Sequence, residues 1–287
     1  MLLSPTGRST FGHALAFLQR PCHALITPDA AAFEAGGKRA PVAQRFDLSS
    51  VPLSDSFAFA VGQLFKLMDQ SPLRGQRVQV AVSDAWSRPA VLTLPAKIPD
   101  DATIEALVAG HYRRIYGDLM DGWRWCWSQR DTHLVALAWP AKALNALQAG
   151  LAQRGCKLAS ARSLGLMLGA QLGHEPGACW LLVLAHGHVL LMRLQGGVLQ
   201  DWWVLPHMAD ATSLATQLPL QLARQSTLRG DTCRALVIID FDAAHNLPAL
   251  CKTLFDAGWT SRVCAAAEVS GSWVWRLQQR VLLEAAA

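Results

Sequence analysis

Residues 178–206 read ACWLLVLAHGHVLLMRLQGGVLQDWWVLP, three apolar runs separated by His-Gly and by Gly-Gly. Each run is short and bounded by turn residues, so the stretch is a three-stranded β-meander. An earlier stretch has the same form. From Cys22, the segments CHALITP, DAAAFEAGGKRA and PVAQRFDL are three extended pieces broken by Thr-Pro-Asp and Gly-Gly. The segments after the two meanders also match. Behind the first, Ser54 or Asp55 can cap a helix with Phe57, Val61, Leu64, Phe65 and Met68 at helical spacing, ended by Ser71 and Pro72. Behind the second, Asp210 precedes a helix through Leu214, Leu218, Leu222 and Ala223; then come the strand RALVIID and a helix from Asn246 to Phe255 before Gly258. Three strands, a helix, a strand and a helix therefore occur twice, with negligible residue identity between the copies.

The first copy carries an insertion at residues 78–160. It holds the strands VQVAVS and RPAVLTLP, a helix opened by Asp100 and Asp101 and stopped by Gly117, the strands WRWCWS and HLVALAW, and a helix from Pro140 to near Gly155. This order predicts an α/β protein of two lobes built from duplicated βββαβα halves, with a small inserted α+β subdomain. Residues 1–77 form the first half of lobe I, 78–160 the insertion and 161–287 lobe II.

Composition narrows the function. Of 287 residues 52% are hydrophobic and 16% charged, a globular balance with a sizeable core. No run of 18 apolar residues could span a bilayer; the longest candidate, 178–194, is broken by His186, Gly187, His188 and Arg193. Residues 1–18 lack the continuous apolar segment and small-residue cleavage site of a signal peptide, so a cytoplasmic protein is expected. The seven cysteines include no pair at zinc-site or redox spacing and read as buried thiols. A net charge of +5 permits nucleic-acid contact, but the basic residues are scattered as Lys38-Arg39 or Arg113-Arg114 and form no stripe, so none is expected.

In its order of elements the chain resembles the actin-like ATPase superfamily, whose two halves face a nucleotide cleft. The run VQVAVSDAWSRPAVLTLPAKIPDDATIEALVAGHYRRIYG (78–117), followed by HLVALAWPAKALNALQAGLAQRGCKLASARSLGLML (133–168), is similar to the inserted subdomain of the type IV pilus assembly protein PilM and of the cytoplasmic domain of the type II secretion L protein. Active actin-like members carry a Gly-x-Asp-x-Gly hairpin whose amides hold phosphate. Here the first hairpin offers Asp29 alone, with Pro28 removing an amide donor and Ala30, Ala31 and Ala32 placing Cβ atoms where glycine belongs. In the second hairpin Ala185 stands where the acid belongs and Gly187 is left as a turn residue. The adenosine loop, at IIDFDAAHNLPAL after Asp240, has no glycine.

With three loops degraded, the resemblance implies a non-catalytic scaffold of a pilus or secretion platform, with no cofactor. The alternative is a divergent actin-like ATPase or kinase-like enzyme using ATP and Mg²⁺, with Asp240 and Asp242 as metal ligands. The resemblance further implies a cytoplasmic protein held at the inner membrane by a short bitopic membrane protein with a PilN-like tail. A secretion or pilus ATPase is a second candidate partner. The tail would enter the groove between the first subdomain and the insertion, at Ser83, Asp84, Trp86 and Arg88. Trp86→Ala is expected to weaken tail capture by on the order of 2 kcal/mol with little change in melting temperature.

Two further patterns each have two readings. His186 and His188 could chelate a metal or mark a solvent-facing turn, and no third ligand is evident. Trp123, Trp125 and Trp127 alternate, as do Trp273 and Trp275, so each set projects from one strand face. Such a face packs under a helix or offers an aromatic platform to a partner. No nucleophile elbow, Walker loop, HExxH motif or Rossmann fingerprint is present.

Overall fold

A computed structural model describes residues 21–35, 40–70, 75–95, 100–172, 177–185, 188–206, 211–241, 246–264, 273–274 and 276–279. The first lobe opens with β1 (Cys22–Ile26), β2 (Ala30–Glu34), β3 (Val42–Arg45), α1 (Leu53–Met68) and β4 (Arg77–Val82). Next come β5 (Arg88–Thr93), α2 (Asp101–Tyr116), β6 (Trp123–Arg130) and β7 (His133–Pro140). The chain returns through α3 (Ala141–Gln153) and β8 (Lys157–Ser163), then crosses by α4 (Leu164–Leu172). The second lobe holds β9 (Ala178–Ala185), β10 (His188–Gln195), β11 (Val198–Pro206), α5 (Ala211–Arg229), β12 (Ala235–Asp240), α6 (Leu247–Asp256) and β13 (Thr260–Val263).

The two meanders lie in separate sheets of identical order, β3-β2-β1-β4-β8 and β11-β10-β9-β12-β13. Within each meander the strands are antiparallel, whereas β1-β4-β8 and β9-β12-β13 are parallel. Parallel neighbours need a crossover, which α1, α3, α5 and α6 supply. The duplication thus runs one strand further than the sequence pattern suggests. Where the second half passes directly from β12 to α6, the first half interposes the antiparallel sheet β5-β7-β6 and α2.

That insertion has its own small core, in which Ile104, Val108 and Tyr112 of α2 meet Leu134, Ala136 and Ala138 of β7. It is narrower than the 78–160 read from the sequence. Residues 78–82 and 157–160 lie in β4 and β8, strands of the first sheet, and α3 packs against α1. The reason is local: β4 is buried along both faces, the pattern of a central parallel strand, and such a run does not announce which sheet it joins.

One large core joins the lobes and a second fills the outer side of lobe II. Alternation along β9 divides it: Leu181 and Val183 face the shared core, Trp180, Leu182 and Leu184 the outer one beneath α5 and α6. Helix ends follow the sequence in part. Asp100 Oδ1 accepts from Thr103 N at 2.7 Å, and Gly117 ends α2 at φ +58°. α1 instead starts behind Pro52, placing Ser54 and Asp55 inside its first turn. Trp125 and Trp127 both donate their indole N–H to Glu105 of α2, at 2.6 and 2.9 Å, so this aromatic face lies under a helix. Trp275 and His186 lie outside the described residues.

Candidate binding cleft

The carboxyl ends of β1, β4 and β8 in one lobe and of β9 and β12 in the other converge on the joint between lobes. There Ser83 Oγ, just past β4, stands 3.5 Å from His188 Nε2 on β10. Beside this contact opens a cleft of about 770 Å³. Pro28 and Ser56 of the first lobe, Arg88 to Val91 of β5, Tyr116 of α2, and His188 with Trp202 to Val204 of the second lobe all line it. Its lining includes two edge strands that pack against each other, β5 of the insertion and β11 of the second sheet. Edge strands present unpaired backbone groups to whatever enters. Trp202 also lines the cleft, and its Nε1, buried beneath the surface, has no hydrogen-bond partner among the described residues.

The residues expected at the phosphate loops are placed as follows. Asp29 sits at the β1–β2 turn, where Pro28 reaches the cleft, but its carboxylate is engaged. Arg45 donates to Oδ2 at 2.6 Å and Thr27 Oγ1 to Oδ1 at 3.1 Å, so the acid fastens the hairpin to β3. Ala185 is buried at the end of β9, paired with His188 across the hairpin. Asp240 ends β12 opposite Leu184 and does not line the cleft. Gly187 and Asp242 lie outside the described residues. Among the described residues no three His, Cys, Asp or Glu side chains are grouped to hold a metal ion.

The four residues expected to meet a partner divide into two pairs. Trp86 and Arg88 line the cleft; Ser83 and Asp84 do not, and both are fully buried. Asp84 is a knot. Its Oδ1 accepts from Ser163 Oγ at 2.5 Å and from Ser87 Oγ at 3.3 Å, its Oδ2 from Gly165 N at 2.7 Å. Burial pushes its pKa up to about 6 against the opposing pull of those hydrogen bonds. Trp86 is 5% exposed, stacks on Phe57 at 4.9 Å and donates Nε1–H to Ser56 Oγ at 2.8 Å. It is a core residue with one edge on the cleft, so its loss will cost stability, contrary to the expectation of an unchanged melting temperature. Arg88 lies over Trp123 at 5.2 Å and Tyr116 at 5.9 Å, and donates to Ser87 O at 2.8 Å. Its guanidinium is thereby held by rings at the cleft's mouth.

Sequence reading missed Tyr116, Trp202 and the capping pair Ser163 and Gly165, and it weighed His188 only as a metal chelator or turn residue, not as part of a cleft. Only the edge position of β11 could have flagged the Trp202–Trp203 pair, and that depends on a sheet order that local patterns do not contain.

At the level of sequence, no family model and no curated protein matches the chain. Similarity in structure is extensive. A chain of the PilM–PilN type IV pilus biogenesis complex superposes with a TM-score of 0.66 at 13% identity, covering 93% of this chain and 99% of that one. A Bacteroides thetaiotaomicron protein with an actin-like ATPase fold and unknown function gives 0.59 at 9% identity, over 90% and 94% of the two chains. The cytoplasmic domain of EpsL, an inner membrane component of the type II secretion system of Vibrio cholerae, gives 0.50 at 10% identity, over 92% and 94%. The fold is that of the actin-like ATPases. Among the described residues no helix is long and apolar enough to cross a membrane.

Proposed function

We propose that this chain is a non-catalytic scaffold of a type IV pilus or type II secretion-like assembly platform, whose cleft takes the extended cytoplasmic tail of a single-pass inner-membrane protein. The cleft carries the reading: about 770 Å³, lined in part by two edge strands and by aromatic and aliphatic side chains. An extended segment would add its backbone to β5 or β11, with side chains against Val91, Val204 and Tyr116. The likeness to a chain of the PilM–PilN complex supports this reading, and so does the state of the nucleotide loops. Asp29 is tied to Arg45, and Ala185 brings no charge. No ATP turnover is expected, and anchoring at the membrane would come through the partner.

The test is capture of a synthetic peptide with the cytoplasmic N-terminal tail sequence of a PilN-like single-pass membrane protein from the same organism. Val91→Arg, on the cleft lining, should weaken capture at least about tenfold, the loss of one well-packed contact, with its melting temperature measured alongside because Val91 also packs against the shared core. Tail capture unchanged in Val91→Arg and in Tyr116→Ala would defeat the placement. Micromolar ATP binding lost in Asp29→Ala would defeat the non-catalytic reading.

A further inference from the structure

A second cavity, of about 110 Å³, lies between β7, the end of β8 and α4 and shares no lining residue with the cleft. Leu137, Leu166 and Met167 form its apolar side and exposed Ala170 its rim. Its polar side is unusual in having donors without acceptors. Trp139 is 2% exposed, and neither its Nε1–H nor the buried Nε–H of Arg162 has a hydrogen-bond partner among the described residues. Ser163 also lines the cavity, but its hydroxyl is committed, donating to Asp84 at 2.5 Å and accepting from Leu166 N at 3.0 Å. No carboxylate stands among the lining residues.

Leaving a buried donor unmet is costly, and buried polar groups are nearly always satisfied. Two such donors on one cavity point to an occupant. Water has acceptors for either donor, but a neutral molecule adds nothing to the attraction of the neighbouring cationic guanidinium. An anion with two oxygens meets both N–H groups and the charge together.

We propose that this cavity binds a small oxyanion of the carboxylate or phosphate class, held between the Trp139 indole N–H and the Arg162 guanidinium. Such a ligand would bridge the insertion, through β7, to the first sheet and to the α4 crossover.

The full-length chain is titrated calorimetrically with inorganic phosphate and, separately, with acetate, against chloride at equal ionic strength. The indole N–H resonance of Trp139, assigned by its loss in Trp139→Phe, is followed by NMR in parallel. Saturable binding of phosphate or acetate that shifts this resonance is expected, with Arg162→Gln weakening it at least about tenfold. Phosphate alone would point to a phosphate source, acetate alone to a carboxylate side chain. Binding undiminished in Arg162→Gln, or no response beyond that to chloride, overturns the proposal and leaves water as the occupant. Should Trp139→Phe unfold, the partly exposed Arg162 decides the matter alone, with its variant's urea midpoint as the check on folding.

Discussion

Asp84 keeps a carboxylate away from water where the insertion leaves the first sheet, and its three donors come from both ends of that departure. Ser87 lies three residues on, whereas Ser163 and Gly165 lie at the root of the crossover to lobe II. Its pKa is raised from 3.8 to about 6, so between those values the folded state holds a proton that the unfolded chain releases. Stability therefore falls as pH rises from about 4 to 6, by on the order of 3 kcal/mol for this group, and is flat above. Asp84→Asn removes that slope, while leaving Ser163 or Gly165 short of an acceptor. Urea midpoints at pH 4.5, 5.5 and 6.5 should converge toward or cross those of the native chain as pH rises. The comparison must be between the two chains, because His23 and His111, with pKa lowered chiefly by burial, contribute with the opposite sign. At Trp86 and Arg88 the expected outcomes differ in kind. Trp86→Ala strips a stacked indole from the core and should cost about 3–5 kcal/mol in thermal or chemical melts. Arg88→Ala loses two partly exposed ring contacts and should cost about 1 kcal/mol, making it the better probe of binding. Sequence reading singled out this turn through its mixture of Trp and charge, but chose four positions where two reach the cleft. Nothing near Asp84 reveals that its partners lie some 80 residues away, as the separations of 79 and 81 to Ser163 and Gly165 record.

At the scale of elements, strands and helices were legible from their periods and turn residues, whereas the sheet that a doubly buried strand joins was not. The meanders and α2 emerged from turn residues and capping acids, while β4 was assigned to the insertion because a run buried on both sides carries no sheet label, and β8 was not read as a strand at all. The tryptophan strand β6 allowed two readings, which Glu105 resolves: one carboxylate on α2 receives two indole N–H groups, and the face is packed rather than offered. The contact of α1 with α3 was not visible at all, although one residue makes it possible. A Cβ on Gly150 of α3 would stand 2.1 Å from Phe65 Cε2 on α1, a ring whose other neighbour is the Arg154 guanidinium at 4.3 Å. Alanine is the better helix former, yet here it cannot fit unless the ring moves. Gly150→Ala should destabilise the chain by about 1–3 kcal/mol despite its propensity gain, and Phe65→Leu in the same chain should recover part of the loss. A double-mutant cycle by urea denaturation checks this; strictly additive effects would mean that the two helices do not touch here.

The whole molecule is a duplicated frame with one asymmetry, and function is proposed to reside in that asymmetry. Both halves share sheet order and strand directions, so the repeated order of elements was enough to predict two lobes although identity between the copies is negligible. Which surfaces of the lobes meet was not predictable, since it depends on pairs such as Ser83 with His188, His133 with Gln200 at 3.0 Å and Arg276 with Glu34 at 2.9 Å. The second half shows that the frame closes without an insertion, only residues 241–246 separating β12 from α6. In the first half the corresponding ends are Ser87 and Ala141. Replacing residues 88–140 by a flexible linker long enough to span this gap should leave a chain that still folds cooperatively, because the inserted sheet has a core of its own. Stability should drop, since Leu137 and Trp139 also belong to the shared core and β11 would lose its neighbour β5. Tail capture should vanish, because one wall of the cleft leaves with β5 while Pro28, His188 and Trp202 stay. Circular dichroism and a single melting transition check the first part, peptide titration the second. Capture retained by a folded, shortened chain would move the docking site onto the two lobes alone, and loss of cooperative folding would make the insertion part of the frame.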